Sequence, residues 1–378
     1  MCPLNGCNPR LALEQNLQHE SAIVPDSAMS THKALVAGAH GVIGRSVAEY
    51  LSARPGWNVI GAARRTAQDQ ETLQHLSVDL LDPEDCAAKL SELNDITHLI
   101  FAAYAERTTP ADLVTVNVAL LQNLLDAMEP SSPQLRHVTL YQGGKAYGCH
   151  LGPFKTPARE DDPRYLGVNF YYDQEDLLRT RQQRANWSWT VFRPEAVCGF
   201  AVGTPMNLSM VIAVYASISR ELGLPLRFPG TPNAYTALYQ VTSADILARA
   251  TEWATASESA ANEIFNVTNG DYFRWANLWP ALARYFDMPC GDPLPLRLTE
   301  QMADKESIWN RITERHGLES IPYSQIASWG FGDAIFGTTY DNVTSTIKLR
   351  RAGFPDCIDT EEMFCTLFDQ LRLKRIIP

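Results

Sequence analysis

The stretch that decides the fold is Ala34-Leu35-Val36-Ala37-Gly38-Ala39-His40-Gly41-Val42-Ile43-Gly44. Four apolar residues in a row read as a short buried strand, and glycines follow at 38, 41 and 44. Gly38 permits a tight turn, Gly41 lets the backbone approach a ligand, and Gly44 allows close packing of helix on strand. Val47 and Leu51 then share one face, as they would on a helix. Strand, glycine turn and helix in this order form the setting in which the spacing binds a pyrophosphate, on the unpaired N–H groups that open the helix. The expectation is a dinucleotide-binding unit.

Outward from this unit, further strands are expected over residues 58–63, 76–80, 98–103, 136–141 and 188–192. Helices are expected over 113–128 and from Tyr171 onward. Alternation at this spacing implies right-handed crossovers and a Rossmann-type doubly wound parallel sheet, an α/β fold. After Arg193 the pattern loosens into longer helices and Pro/Gly-rich loops such as Pro225-Leu226-Arg227-Phe228-Pro229-Gly230. The domain reading is a loosely held extension over 1–29, a nucleotide-binding domain over 30–200, and a smaller, mainly helical substrate-binding part over 201–378. Segments of that last part are expected to return to the sheet.

The bulk numbers exclude several classes. Of 378 residues, 45% are hydrophobic and 20% charged, enough to bury a large core. A net charge of −11, with no block of Lys or Arg, argues against a nucleic-acid or anionic-membrane partner. No apolar run approaches the roughly 18–20 residues of a membrane span, and the start does not read as a signal peptide. Eight scattered cysteines are expected to be free thiols in a reducing cytoplasm. Cys2 and Cys7 lie near each other but lack partners at zinc-ligand spacing, so no metal is expected.

The end of the second strand selects the cofactor. Where an acidic residue would serve the ribose hydroxyls of NAD, this chain has Gly61-Ala62-Ala63-Arg64-Arg65-Thr66. Guanidinium groups suit the extra 2′-phosphate of NADP or NADPH. Asp79-Leu80, closing the third strand, stands where related folds touch the adenine, and an Asp at a strand end is also ordinary turn chemistry.

The candidate for chemistry is Asn169-Phe170-Tyr171-Tyr172-Asp173-Gln174-Glu175-Asp176. A tyrosine can donate to an oxygen that gains negative charge. Its pKa is about 10, so a nearby cation normally helps. Short-chain dehydrogenases/reductases supply that cation as Tyr-x-x-x-Lys, but here Glu175 and Asp176 hold the corresponding places. They read as first-turn acids favoured by the helix dipole. Lys145, in Tyr141-Gln142-Gly143-Gly144-Lys145-Ala146-Tyr147-Gly148, is the alternative cation, leaving the ligand-binding edge of the sheet. Read from pattern alone, Tyr171 could equally be a packed aromatic and Lys145 a solvated loop residue.

With these segments in hand, the chain resembles the progesterone 5β-reductase/iridoid synthase-like (PRISE) enzymes, an atypical group of extended short-chain dehydrogenases/reductases. The glycine loop, Ala63-Arg64-Arg65, Thr97-His98-Leu99-Ile100-Phe101, Gly152-Pro153-Phe154 and Asn169-Phe170-Tyr171-Tyr172 carry the likeness in its first half. Arg193-Pro194, Met206-Asn207-Leu208, Asn269-Gly270-Asp271, Phe273-Arg274-Trp275, Trp329-Gly330-Phe331 and Ile376-Ile377-Pro378 extend it to the end. The resemblance implies hydride transfer from NADPH to the β-carbon of a C=C bond conjugated to a carbonyl. Tyr171 would hold the enolate oxygen, with Lys145 as the loop lysine. The family has one more residue between Gln142 and that lysine, and fewer between it and Gly152.

The cofactor set implied is Gly38, His40, Gly41, Val42, Ile43, Gly44, Arg64, Arg65, Thr66, Asp79, Leu80, Ala102, Tyr104, Tyr171 and Val197. The implied substrate wall is Tyr104, Phe154, Asn207 and Phe336. Tyr104 stands where the plant enzymes commonly have tryptophan, and residues 234–240 lack their usual Trp-Asp character, so the substrate should differ. The expected function is an NADPH-dependent reductase of a hydrophobic enone or enal, acting on a small carbonyl compound in the cytoplasm. A carbonyl reductase, an isomerase or cyclase of secondary metabolism, or a non-catalytic NADPH-binding protein stay open. A homodimer is compatible with the sequence.

Overall fold

β1 (His32–Ala37) runs through the middle of the main sheet, and Ala34 to Ala37 are wholly buried. The computed structural model describes residues 32–65 and 69–378, so the extension over 1–29 and Thr66 lie outside the described residues. From β1 the chain continues through α1 (Val42–Ser52), β2 (Trp57–Ala63), β3 (Leu73–Ser77), α2 (Pro83–Leu90) and β4 (His98–Phe101). Next come α3 (Pro110–Ser131), β5 (His137–Tyr141), a short 3-10 turn (Gly144–Tyr147), α4 (Phe170–Gln182) and β6 (Ser188–Pro194). After α5 (Leu208–Glu221) and α6 (Ala244–Ala256), a further strand, β7 (Glu263–Val267), returns to the sheet beside β6.

Among the described residues the sheet has seven strands in the order β7-β6-β5-β4-β1-β2-β3, and every pair is parallel. The order reverses between β1 and β4, which opens a crevice at their C-terminal ends. Alternate residues of β1 serve the two faces. Leu35 and Ala37 join one core with Leu121, Leu124 and Leu125 of α3. Ala34 and Val36 join another with Val47 and Leu51 of α1 and Leu247 of α6. Burial on both faces is why these strands read as continuous apolar runs.

The C-terminal part has a core of its own. Trp275 and Trp279 of α7 (Trp275–Tyr285) pack with Phe228, with Phe336 of α8 (Trp329–Phe336), and with Phe364 and Phe368 of α9 (Thr360–Leu373). From the later part of the chain, β7 pairs with β6, and α6 packs in the β1 core.

Local rules account for the helix starts. Asp82 caps α2 through the N–H groups of Glu84 and Asp85, with Pro83 as the first helical residue. Thr109 and Pro110 start α3 in the same way. Two expectations need correction. The third strand spans 73–77, not 76–80, because Leu73 to Ser77 pair with Val59 to Ala63. Val78 and Leu80 are buried too, but beyond the strand. The eight-residue α2 was not anticipated, since only Cys86 and Leu90 of it are buried.

Candidate active site

The glycine loop forms the floor of the crevice. Gly38 has φ +82°, and a Cβ on it would lie 2.6 Å from the Ala102 carbonyl oxygen, just past β4. A Cβ on Gly44 would run into the Gly38 carbonyl, so neither position admits a side chain. Gly41 caps α1 without any side-chain hydrogen bond. The N–H groups of Val42, Ile43 and Gly44 therefore open the helix unpaired and available to an anion. Val197 packs against Val42 in the cluster beside this loop. These residues fit a dinucleotide pyrophosphate.

Two arginines follow the end of β2. Arg64 and Arg65 are both exposed. His40 of the loop has its pKa lowered, first by burial and then by His75, Arg65 and Arg45. His40 Nε2 and His75 Nδ1 are buried without hydrogen-bond partners among the described residues, their rings 5.7 Å apart. Asp79 lies two residues beyond β3 and spends one oxygen on the Leu81 N–H (3.0 Å). The Leu80 carbonyl accepts from Asn123.

Across the crevice, Asn169 caps α4 by accepting from the Tyr171 N–H (3.1 Å) and ties the helix to the β5 turn by donating to the Lys145 carbonyl (3.0 Å). The Tyr172 hydroxyl adds a second tie to the Ala146 carbonyl (2.7 Å). These bonds set the Tyr171 hydroxyl against Gly143, where a Cβ would lie 3.3 Å from it. Phe170 packs on Tyr171 (ring centroids 4.4 Å) and on Tyr104 (5.8 Å). The Tyr171 pKa is raised above the ordinary tyrosine value by burial, then by Cys149, Glu195, Glu106 and Tyr165. Lys145 is exposed, and its ammonium makes no hydrogen bond or salt bridge among the described residues. Its charge is felt at Cys149 and His150.

Glu175 and Asp176 are not first-turn acids, since the first turn is 170–173. Glu175 is buried and meets three guanidiniums: Arg193 and Arg179 at 3.1 Å, and Arg164 at 3.3 Å. Arg193 is buried as well, donates to Gln142 Oε1 (2.8 Å) and to the Tyr147 hydroxyl (3.2 Å), and Gln142 in turn donates to the Tyr171 carbonyl (2.9 Å). The position that usually carries lysine thus anchors an ion-pair network under the helix. It brings no free cation to the phenol.

The family pattern described as the PRISE-like Rossmann-fold domain matches residues 68–378. The chain belongs to this family. It is 35% identical over 364 residues to the (S)-8-oxocitronellyl enol synthase of Nepeta cataria, covering 91% of this chain and 93% of that protein. It is 33% identical over 364 residues to the 3-oxo-Δ(4,5)-steroid 5β-reductase of Arabidopsis thaliana, with the same coverage of both. It is also 34% identical over 374 residues to the short chain dehydrogenase gsfE of Penicillium aethiopicum, covering 91% of this chain and 99% of that one. Among solved structures, Thermus thermophilus UDP-glucose 4-epimerase, in complex with NAD, superposes with a TM-score of 0.63 at 20% identity, covering 90% of this chain and 99% of that one. That last likeness speaks to the fold. This PRISE-like chain is an enzyme of the short-chain dehydrogenase/reductase type.

The residues expected to wall the substrate separate in the structure. Tyr104 sits at the site through Phe170, its hydroxyl donating to Glu106 (2.6 Å). Phe154 is half-buried, edge-on to Tyr340 (6.5 Å), and the Tyr340 hydroxyl donates to the Cys149 carbonyl (2.5 Å). Asn207 caps α5, and its amide donates to the Gly199 and Ala201 carbonyls. Phe336 lies in the aromatic core, 5.3 Å from Trp275. Those two are held by packing and backbone bonds. Tyr340, Gln142 and Glu195 join the site without having been singled out, because each depends on a fold contact that no local spacing announces. Among the described residues no cluster of His, Cys, Asp or Glu could hold a metal, and no helix is long and apolar enough to cross a membrane.

Proposed function

We propose that this PRISE-like chain is an NADPH-dependent reductase of the activated C=C bond of a hydrophobic enone or enal. The observation that carries the proposal is the Tyr171 hydroxyl, fixed at Gly143 where β5 ends, on the ligand-binding edge of the sheet. Bound NADPH would supply a hydride to the β-carbon. Tyr171 donates a hydrogen bond to the carbonyl oxygen, which strengthens as the C=C π electrons move there to form the enolate, and a proton from solvent on the α-carbon then gives the saturated carbonyl. Because burial keeps the phenol protonated, it serves as a donor throughout. Lys145 is assigned a supporting positive charge from the same turn, whose backbone Asn169 holds.

The preference for NADPH rests on Arg64 and Arg65 at the end of β2, where their guanidiniums suit a 2′-phosphate. A small apolar carbonyl compound is the expected substrate, and the segment between the β5 turn and α4 leaves Leu151, Leu166 and Val168 exposed. The relatives' names support the chemistry: one makes an enol, and another reduces a 3-oxo-Δ(4,5)-steroid. The test is incubation with NADPH and a panel of enones and enals, following nicotinamide absorbance and identifying products by mass and NMR. Saturated carbonyl products are expected. No NADPH oxidation across the panel, or allylic alcohols as the products, would sink the proposal.

A further inference from the structure

Glu195 follows β6 directly and is only 4% exposed. Its backbone N–H donates to Thr242 Oγ1 (3.0 Å), which fixes the residue against the strand that leads to α6. Oε2 accepts from Asn342 Nδ2 (3.1 Å), while Oε1 is buried without a partner among the described residues. The carboxyl abuts the β5 turn: a Cβ on Gly144 would stand 2.8 Å from Glu195 Cδ and nearer still to Oε1. Gly143, the residue before, is the one that faces the Tyr171 hydroxyl. Two glycines therefore separate a buried acid from the proposed donor.

The groups facing Glu195 offer little charge compensation. Tyr171 of α4, Tyr239 of the short strand Leu238–Tyr239 and Cys149 of the loop after the 3-10 turn all have their pKa raised in part by Glu195. No Lys, Arg or His forms a salt bridge with it among the described residues, and burial and the Asn342 amide are the influences on its carboxyl. Burial pushes the Glu195 carboxyl up to about 7, and the Asn342 amide pulls it only partly back.

We infer that Glu195 is an electrostatic control residue of the Tyr171 site: it works as a neutral acid, and its ionisation opposes negative charge on an oxygen held by the Tyr171 hydroxyl. A buried carboxyl without a cation favours its neutral form. Once ionised, it repels an enolate across the Gly143-Gly144 turn, so turnover falls as pH rises through the titration. Tyr171 cannot produce that limb, since its own pKa moves the other way from neutrality. The effect on turnover rests on the enone-reductase reading.

The experiment compares kcat/KM against pH for wild type, Glu195→Gln and Asn342→Ala. Wild type is expected to lose roughly tenfold between about pH 6 and 9. Glu195→Gln, which keeps an acceptor for Asn342 but cannot ionise, should show no such limb whatever its absolute rate. Asn342→Ala removes a donor that favours the anion and should shift the limb to higher pH. An unchanged limb in Glu195→Gln overturns the inference, as does equal loss at every pH in a folded variant. Infrared difference spectra, wild type minus Glu195→Gln, give a readout free of turnover: a protonated-carboxyl band near pH 6 that vanishes by about pH 9. If no enone turns over, the reductase reading fails alone, and absence of that band still overturns the role of Glu195.

Discussion

Glu175 stands four residues after Tyr171, where a lysine usually lowers the pKa of the phenol, and it is buried against Arg193. Removing one partner of a buried pair leaves the other charge uncompensated, at a cost of about 3–5 kcal/mol. Restoring the familiar spacing with Glu175→Lys would set a new cation among Arg193, Arg179 and Arg164. That variant should unfold at markedly lower urea concentration and gain no activity. A more active Glu175→Lys would show that the position can still serve the phenol with a cation despite the ion-pair network around it. Tyr171→Phe removes only the donating oxygen. It should lower kcat about a hundredfold or more with the melting temperature nearly unchanged. Retention of most turnover would move the chemistry to another group.

The elements around the site were legible in the sequence to different degrees, for physical reasons. β1, β4 and β5 are buried on both faces, and the apolar runs betray them within a residue or two. β3 slipped by three residues because Val78 and Leu80, past its end, are buried as well. The tie between α4 and the β5 turn was visible only as the residues Asn169 and Lys145. The Arg193–Glu175 pair, 18 residues apart, needs the crossover between α4 and β6 to exist. Asn207 and Phe336 came from likeness to a family, which locates a residue in a motif without saying which way it faces. At the end of β2 the expectation can be tested on the element itself. Replacing Arg64 and Arg65 together by alanine should weaken NADPH binding roughly ten- to a hundredfold and leave NADH within a few-fold. Protein fluorescence titration with the two nucleotides reads this directly, and equal loss for both would remove the 2′-phosphate assignment.

Across the whole molecule, the sheet separates two kinds of titrating group. Its C-terminal edge carries Tyr171 and Glu195, the groups proposed for the chemistry. Its other end carries histidines that the fold holds neutral. His98 and His137 sit opposite each other at the start of β4 and β5, both nearly inaccessible. His98 also meets His32 (ring centroids 5.2 Å) and Trp57 (5.0 Å). Burial lowers the pKa of His98 to about 3, with His137, His32 and Arg136 adding to it, and lowers that of His137 to about 4. The unfolded chain takes up these protons near the ordinary value of about 6.5, so it binds more of them than the folded chain from there down to the folded values. Stability is therefore fully present above about pH 6.5 and is lost as pH falls toward 4 and then 3, after which these two groups contribute no further slope. Each histidine contributes at most about 1.4 kcal/mol per pH unit in that window. Urea unfolding at several pH values between about 7 and 5 should show this decline, and His137→Asn should reduce the slope by about one proton. Because Glu195 acts on the alkaline side and at the opposite edge, the same variant should leave the alkaline limb of turnover where it is. A shift of that limb in His137→Asn would mean that the two ends of the sheet are coupled.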